Sequence, residues 1–123
     1  MAKATPDAVL DKILDEIATA TSMVACSAQP TTYAEATSTY ALADVVMAGG
    51  DYTKANGDTS GRKVTVAAKS AVDVDTSGSA THVALVRTAD TTLIYVTTCS
   101  SVALDASGTV NFGAWDIEIA DPS

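Results

Sequence analysis

Lys63-Val64-Thr65-Val66-Ala67-Ala68-Lys69 is the stretch whose reading decides the fold class. In an extended chain Val64, Val66 and Ala68 lie on one side and Lys63, Thr65, Ala67 and Lys69 on the other, the period of a half-buried strand. Outward from it, residues 42–47, 71–74, 81–87, 92–98, 109–112 and 114–119 have the same strand character. Turn residues separate them: Gly49-Gly50-Asp51, Asn56-Gly57-Asp58, Ser60-Gly61, residues 76–79, Ala89-Asp90 and residues 106–108. About seven short strands at this spacing predict a mainly β chain, an antiparallel β-sandwich or barrel. In the last strand Trp115, Ile117 and Ile119 alternate with Asp116 and Glu118, which marks the three apolar residues as core anchors. A buried Trp115 indole would need a partner for its N–H.

The N-terminal end has a different period. Thr5-Pro6-Asp7 reads as a helix start, with Thr5 as cap, Pro6 in the first turn and Asp7 at the positive end of the dipole. Val9, Leu10, Ile13, Leu14 and Ile17 follow at helical spacing, with Asp11, Lys12, Asp15 and Glu16 on the other face. The helix is expected to fade over residues 21–25, where β-branched and hydroxylated residues gather ahead of Pro30. The division is therefore residues 1–30 as helix and linker and 31–123 as β body, one domain overall. The helix is expected to pack on the body; if it faces outward instead, Val9, Ile13 and Ile17 are the contact residues.

Composition bounds the function. The chain has 123 residues, and 15 Asp and Glu against 7 Lys and Arg leave a formal net charge of −8. That disfavours direct nucleic-acid binding, which needs clustered positive charge. No apolar run reaches the ~20 residues of a membrane span, and no basic-then-hydrophobic leader opens the sequence, so a soluble product is expected. With 23 Ala and 18 Thr but only 6 Leu and 5 Ile, the core is built from small side chains and gains little burial per residue. A homo-oligomer or assembly component is the expectation, since partners supply the missing burial.

Chemical equipment is sparse. Cys26 and Cys99 are 73 positions apart and form no CxxC motif. Two buried thiols are expected in a reducing compartment, with a Cys26–Cys99 bridge as the alternative. Residues 48–62 are rich in Gly and include Asp51 and Asp58, but lack both the Gly-Lys-Ser/Thr of a phosphate loop and the closing Glu of a calcium loop. A flexible connection is the expectation there. His82 opens a strand with no nucleophile at motif spacing, and Asp73 and Asp75 share one side of a strand beside a turn, a solvated acidic face. No catalytic residue, metal or cofactor is assigned, and the chain is read as not an enzyme.

The order of segments carries a further reading. Gly50-Asp51-Tyr52-Thr53, then residues 57–68 (Gly57-Asp58-Thr59-Ser60-Gly61-Arg62 running into the Val/Thr strand), then residues 78–86 around His82, are followed by Leu93-Ile94-Tyr95-Val96 and Gly108-Thr109-Val110-Asn111-Phe112. Closed by Ala114-Trp115-Asp116-Ile117-Glu118-Ile119, this order resembles the small virion structural proteins of tailed bacteriophages over residues 40–121. The resemblance implies an accessory or decoration protein of capsid, neck or tail, made in the bacterial host cytoplasm. Its partners would be other virion proteins and further copies of itself. It transfers no active-site residue. The alternative is a host-recognition module of a fibre or spike, with residues 48–62 touching a glycan.

Overall fold

In the computed structural model, which describes residues 5–120, the chain is a β-sandwich with one helix near its N-terminus. Helix α1 is Asp7–Ile17. Nine strands follow: β1 Ser22–Cys26, β2 Ala41–Val46, β3 Tyr52–Asn56, β4 Arg62–Val66, β5 Lys69–Asp73, β6 Gly78–Arg87, β7 Thr92–Leu104, β8 Thr109–Phe112 and β9 Trp115–Ile119. They form a four-stranded sheet in the order β2-β1-β6-β7, a three-stranded sheet β3-β4-β9 and a two-stranded sheet β5-β8, all antiparallel.

The principal core is closed between the sheets. Met23, Ala25 and Leu85 from the large sheet meet Val64, Val66 and Ile117 from the second and Val72 and Phe112 from the third, with Leu14 and Ile17 entering from α1. A smaller cluster lies on the opposite face of the large sheet. There Val24, Cys26, Ala84 and Val86 are covered by Ala36, Tyr33 and Tyr40, in and around a one-turn π-helix at Glu35–Thr39. The large sheet is thus buried on both faces at its middle strands.

That double burial accounts for a strand absent from the expected set. Met-Val-Ala-Cys (residues 23–26) is apolar without alternation, because Met23 and Ala25 face one cluster and Val24 and Cys26 the other. Residues 1–30, expected to be helix and linker, therefore include the inner strand β1, paired with β2 on one side and β6 on the other. The helix consequently stops at Ile17 instead of fading over 21–25: Thr21 already donates its N–H to the Val86 carbonyl, 2.9 Å, as the sheet begins. Its start differs too. Pro6 is the cap residue, its carbonyl taking the N–H groups of Val9 and Leu10, and no side chain caps the helix, so Thr5 does not have the expected role.

The second unexpected strand is β3, inside the 48–62 segment read as a flexible connection. A 3₁₀ turn at Gly49–Asp51 leads into it, and it pairs along its length with β4. Only Tyr52 of β3 is buried, its hydroxyl donating to the Ala20 carbonyl at 3.0 Å, so the strand carries no alternating pattern to betray it.

Helix α1 is held to the body by its acidic side as well as its apolar one. Asp11 pairs with Arg62 of β4 at 2.8 Å, Asp15 with Lys54 of β3 at 2.7 Å and Glu16 with Arg87 of β6 at 2.7 Å. Each exposed pair is worth at most about 1 kcal/mol, so these bridges orient the helix more than they stabilise it. Leu10, Leu14 and Ile17 are buried beneath, while Val9 and Ile13 remain 48% exposed. Of the three proposed contact residues, Ile17 is therefore a core residue: three and four positions from Leu14 and Ile13, it lies on the inward edge of the stripe.

Candidate functional site

An open groove lies where the two larger sheets part. β7 is the outer strand of the four-stranded sheet and β9 that of the three-stranded one. Between them is a cavity of about 440 Å³, floored by Ala25, Ala80 and Val83 and walled by residues 97–102 of β7 and 110–116 of β8 and β9. That volume is in the range of ligand pockets generally. The floor is the sandwich interior itself, left uncovered at this end.

Trp115 forms one wall. It stacks with Tyr95, ring centroids 6.0 Å apart and planes at 29°, which ties β9 to β7 across the groove. It is half-buried instead of the expected fully buried anchor, because β9 has no neighbour on its outer side. Its Nε1 is enclosed and has no hydrogen-bond partner among the described residues. Ile117, two residues on, is in the core at 4% exposed, and Ile119 is half-buried where the strand leaves it.

The one charged residue lining the groove, Asp116, is engaged elsewhere. Its carboxylate accepts from Thr65 Oγ1 at 2.7 Å and lies 3.4 Å from Lys63 Nζ. The Thr65 hydrogen bond, then the Lys63 charge, hold it below the usual carboxylate range. What faces the groove is apolar surface, Thr and Ser hydroxyls and the thiol of Cys99.

The other sequence candidates are dispersed. Across the sheet His82 is opposite both Cys26 on β1 and Thr98 on β7, so the fold does bring a thiol and an imidazole to adjacent positions. The pair has no nucleophile chemistry. Cys26 Sγ is directed to the Ala36 carbonyl at 3.6 Å, His82 Nδ1 is 2.9 Å from Thr81 Oγ1, and burial first, then Cys99, push the Cys26 thiol up to about 11. A reactive cysteine requires the opposite shift.

Both cysteines are free, and only Cys26 is buried; Cys99 is exposed, against the expectation of two buried thiols. A bridge between them is excluded by topology. β6 separates β1 from β7, so two strand spacings of about 4.8 Å intervene, beyond the reach of a disulfide. Iodoacetamide is accordingly expected to label one thiol per native chain, Cys99, and two after unfolding. Labelling of Cys26 in the native protein at a comparable rate would contradict this burial.

The carboxylates of residues 48–62 are similarly committed. Asp51 accepts from the Ala48 N–H at 2.8 Å and pairs with Lys69 at 3.1 Å, and Asp58 pairs with Lys63 at 2.8 Å. Among the described residues no group of three ligating side chains could hold a metal ion.

Asp73 and Asp75 line a shallow depression together with Asp44 of β2, at the seam where Ala43 bridges Val74. The Asp44 carboxyl is held above the usual carboxylate range, chiefly by a hydrogen bond with Asp75, then by burial and the Asp75 charge. A raised folded value means stabilisation that is complete below the unfolded pKa of about 3.9 and lost as pH rises through the folded value. Asp44→Asn is therefore expected to raise Tm at pH 7 and to flatten its fall above pH 4. An unchanged Tm–pH profile would contradict the shared proton.

Among the described residues no helix is long and apolar enough to cross a membrane. No protein-family model, curated protein or solved structure matches this chain, so its own residues and geometry carry the functional argument.

Proposed function

We propose that this chain is a non-enzymatic structural protein of a tailed-phage virion, decorating or stabilising the capsid, neck or tail through repeated contacts with other virion proteins and with copies of itself. One observation carries the contact-driven part of this reading. Four large apolar side chains are exposed, Val9 and Ile13 on α1, Val46 on β2 and Val102 on β7, on a body whose buried residues include no polar or charged side chain. Burial of such side chains against neighbours is favourable at roughly 25 cal/mol per Å², and in a chain with so few Leu and Ile it adds appreciably to what folding alone supplies. The virion part of the reading draws on the order of segments over residues 40–121.

The mechanism is mass action. A shell or tail lattice that binds the folded chain stabilises it and is stabilised in return, with no reacting group required. Mass spectrometry of purified particles tests this: the chain is expected in many copies per particle. Its absence from particles overturns the proposal.

Host-glycan recognition is the second reading, and the Tyr95–Trp115 stack beside the Thr and Ser hydroxyls of the groove is the feature that favours it. The segment 48–62 lends it less. Tyr52, the aromatic residue there, is turned inward to Ala20 and presents no plane to solvent. Sequence-specific glycan-array binding lost in Trp115→Ala, together with a few copies per particle, would favour recognition over decoration.

A further inference from the structure

The exposed side of β7 is an edge without the usual protection. An outer strand presents unpaired N–H and C=O groups, and proteins blunt such edges with charges, prolines or bulges. In the two larger sheets the outer strands are β2, β7, β3 and β9. β2 has Asp44, β3 has Lys54 and β9 has Asp116 and Glu118; residues 91–104, spanning β7, have no charge, no Pro and no Gly. Bulges are the one device present. From Ala80↔Val102 to His82↔Thr98, β7 uses two more residues than β6, and Ile94 is extra between Leu85↔Tyr95 and Val86↔Leu93. Residues 95–98 between them pair regularly, and their outer edge has no partner strand among the described residues.

We propose that a second copy of this chain adds antiparallel to β7 along residues 95–98, about a two-fold axis, and covers the groove beside it. Charge selects this occupant. At a formal −8 each, two copies repel through most of their surface, whereas a basic partner would be drawn to the acidic faces. A two-fold axis also sets each residue near it against its own copy, so a charged strand would face like charge. β7 meets that condition and offers Thr97 and Thr98, a residue type suited to cross-strand pairing. Val102, 47% exposed on the groove wall, gains cover in the pair. The inference deepens the assembly reading above and rests on it, since it names where copies meet.

Sedimentation velocity on the purified full chain, from low to high micromolar, tests it. The wild type is expected to dimerise, and more tightly with added salt as repulsion between the acidic bodies is screened. Thr98→Lys, at an exposed edge position, is expected to weaken the dimer by at least about tenfold with its circular dichroism and Tm retained. Val46→Lys, on β2 at the far edge of the same sheet, is the control and leaves the dimer intact. Cys99, one residue beyond the paired stretch, reports independently: its alkylation is expected to slow as protein concentration rises. A chain that stays monomeric throughout overturns the inference, as does a dimer that survives Thr98→Lys. Incorporation into particles is scored separately, so a monomer found in virions sinks the β7 pairing alone, and a dimer absent from virions sinks the virion reading alone.

Discussion

Leu85→Ala is expected to lower the unfolding free energy by about 2–5 kcal/mol. Leu85 is 0% exposed on β6, opposite Met23 of β1 on one side and Tyr95 of β7 on the other, so its side chain belongs to the middle of the large sheet's inner face. Truncation removes its burial and leaves a cavity that the rigid strands on either side close only in part. The consequence is magnified by composition. Most of the surrounding core residues are Ala and Val, and small side chains have little reach with which to refill a hole. Against a domain stability of about 5–15 kcal/mol, a single substitution of this size is a large fraction of the whole. The check is chemical denaturation, with Val46→Ala as the companion variant. Val46 is 76% exposed, and its truncation is expected to stay within about 0.5 kcal/mol. A Leu85→Ala loss below 1 kcal/mol would show that the core is not closed around this residue.

Gly61→Ala has the second largest expected effect, about 1–3 kcal/mol. The β3–β4 turn closes with the Gly57 N–H donating to the Gly61 carbonyl at 2.9 Å, and Gly61 has φ +69°, a left-handed conformation that a Cβ disfavours. A second cost is steric. The added Cβ would run into the Ile119 carbonyl at the end of β9, a backbone atom held in the β4–β9 pairing. Gly49→Ala is the matched comparison. Nothing lies near a Cβ built there and its φ is not left-handed, so Ala is expected to be neutral or to stabilise by about 0.4–1 kcal/mol through loss of freedom in the unfolded chain. Equal Tm changes for the two variants would remove the steric argument.

Legibility followed the number of faces each segment buries. β4, β6 and β9 have one face toward the core over most of their length, and their alternation of apolar and polar residues was readable directly. β1 buries both faces and reads as an apolar run, indistinguishable by period from the tail of the preceding helix. β3 buries little beyond Tyr52, and its neighbours Gly50, Asp51 and Gly57 look like an extended loop. Amphipathicity located α1, but the position of Ile17 depended on which body residues the helix met: the pairs from Asp11, Asp15 and Glu16 to Arg62, Lys54 and Arg87 set that rotation, and those cations come from three separate strands.

The groove was not legible at all. Trp115 was readable as an inward-facing residue, but whether an inward face is covered depends on the strand order in both sheets, and the exposure of Cys99 depends on a bulge in the pairing of β7 with β6. Local pattern and composition determined the mainly β class, the amphipathic helix, the acidic surface and the small-residue core, because each follows from side-chain chemistry over a few neighbouring positions. Only the tertiary structure decided that Ser22–Cys26 is an inner strand, that Cys26 and Cys99 are held apart by β6, and that the sandwich stands open between β7 and β9. Those outcomes depend on contacts between residues tens of positions apart, and a period of two is the same whether or not another strand lies alongside.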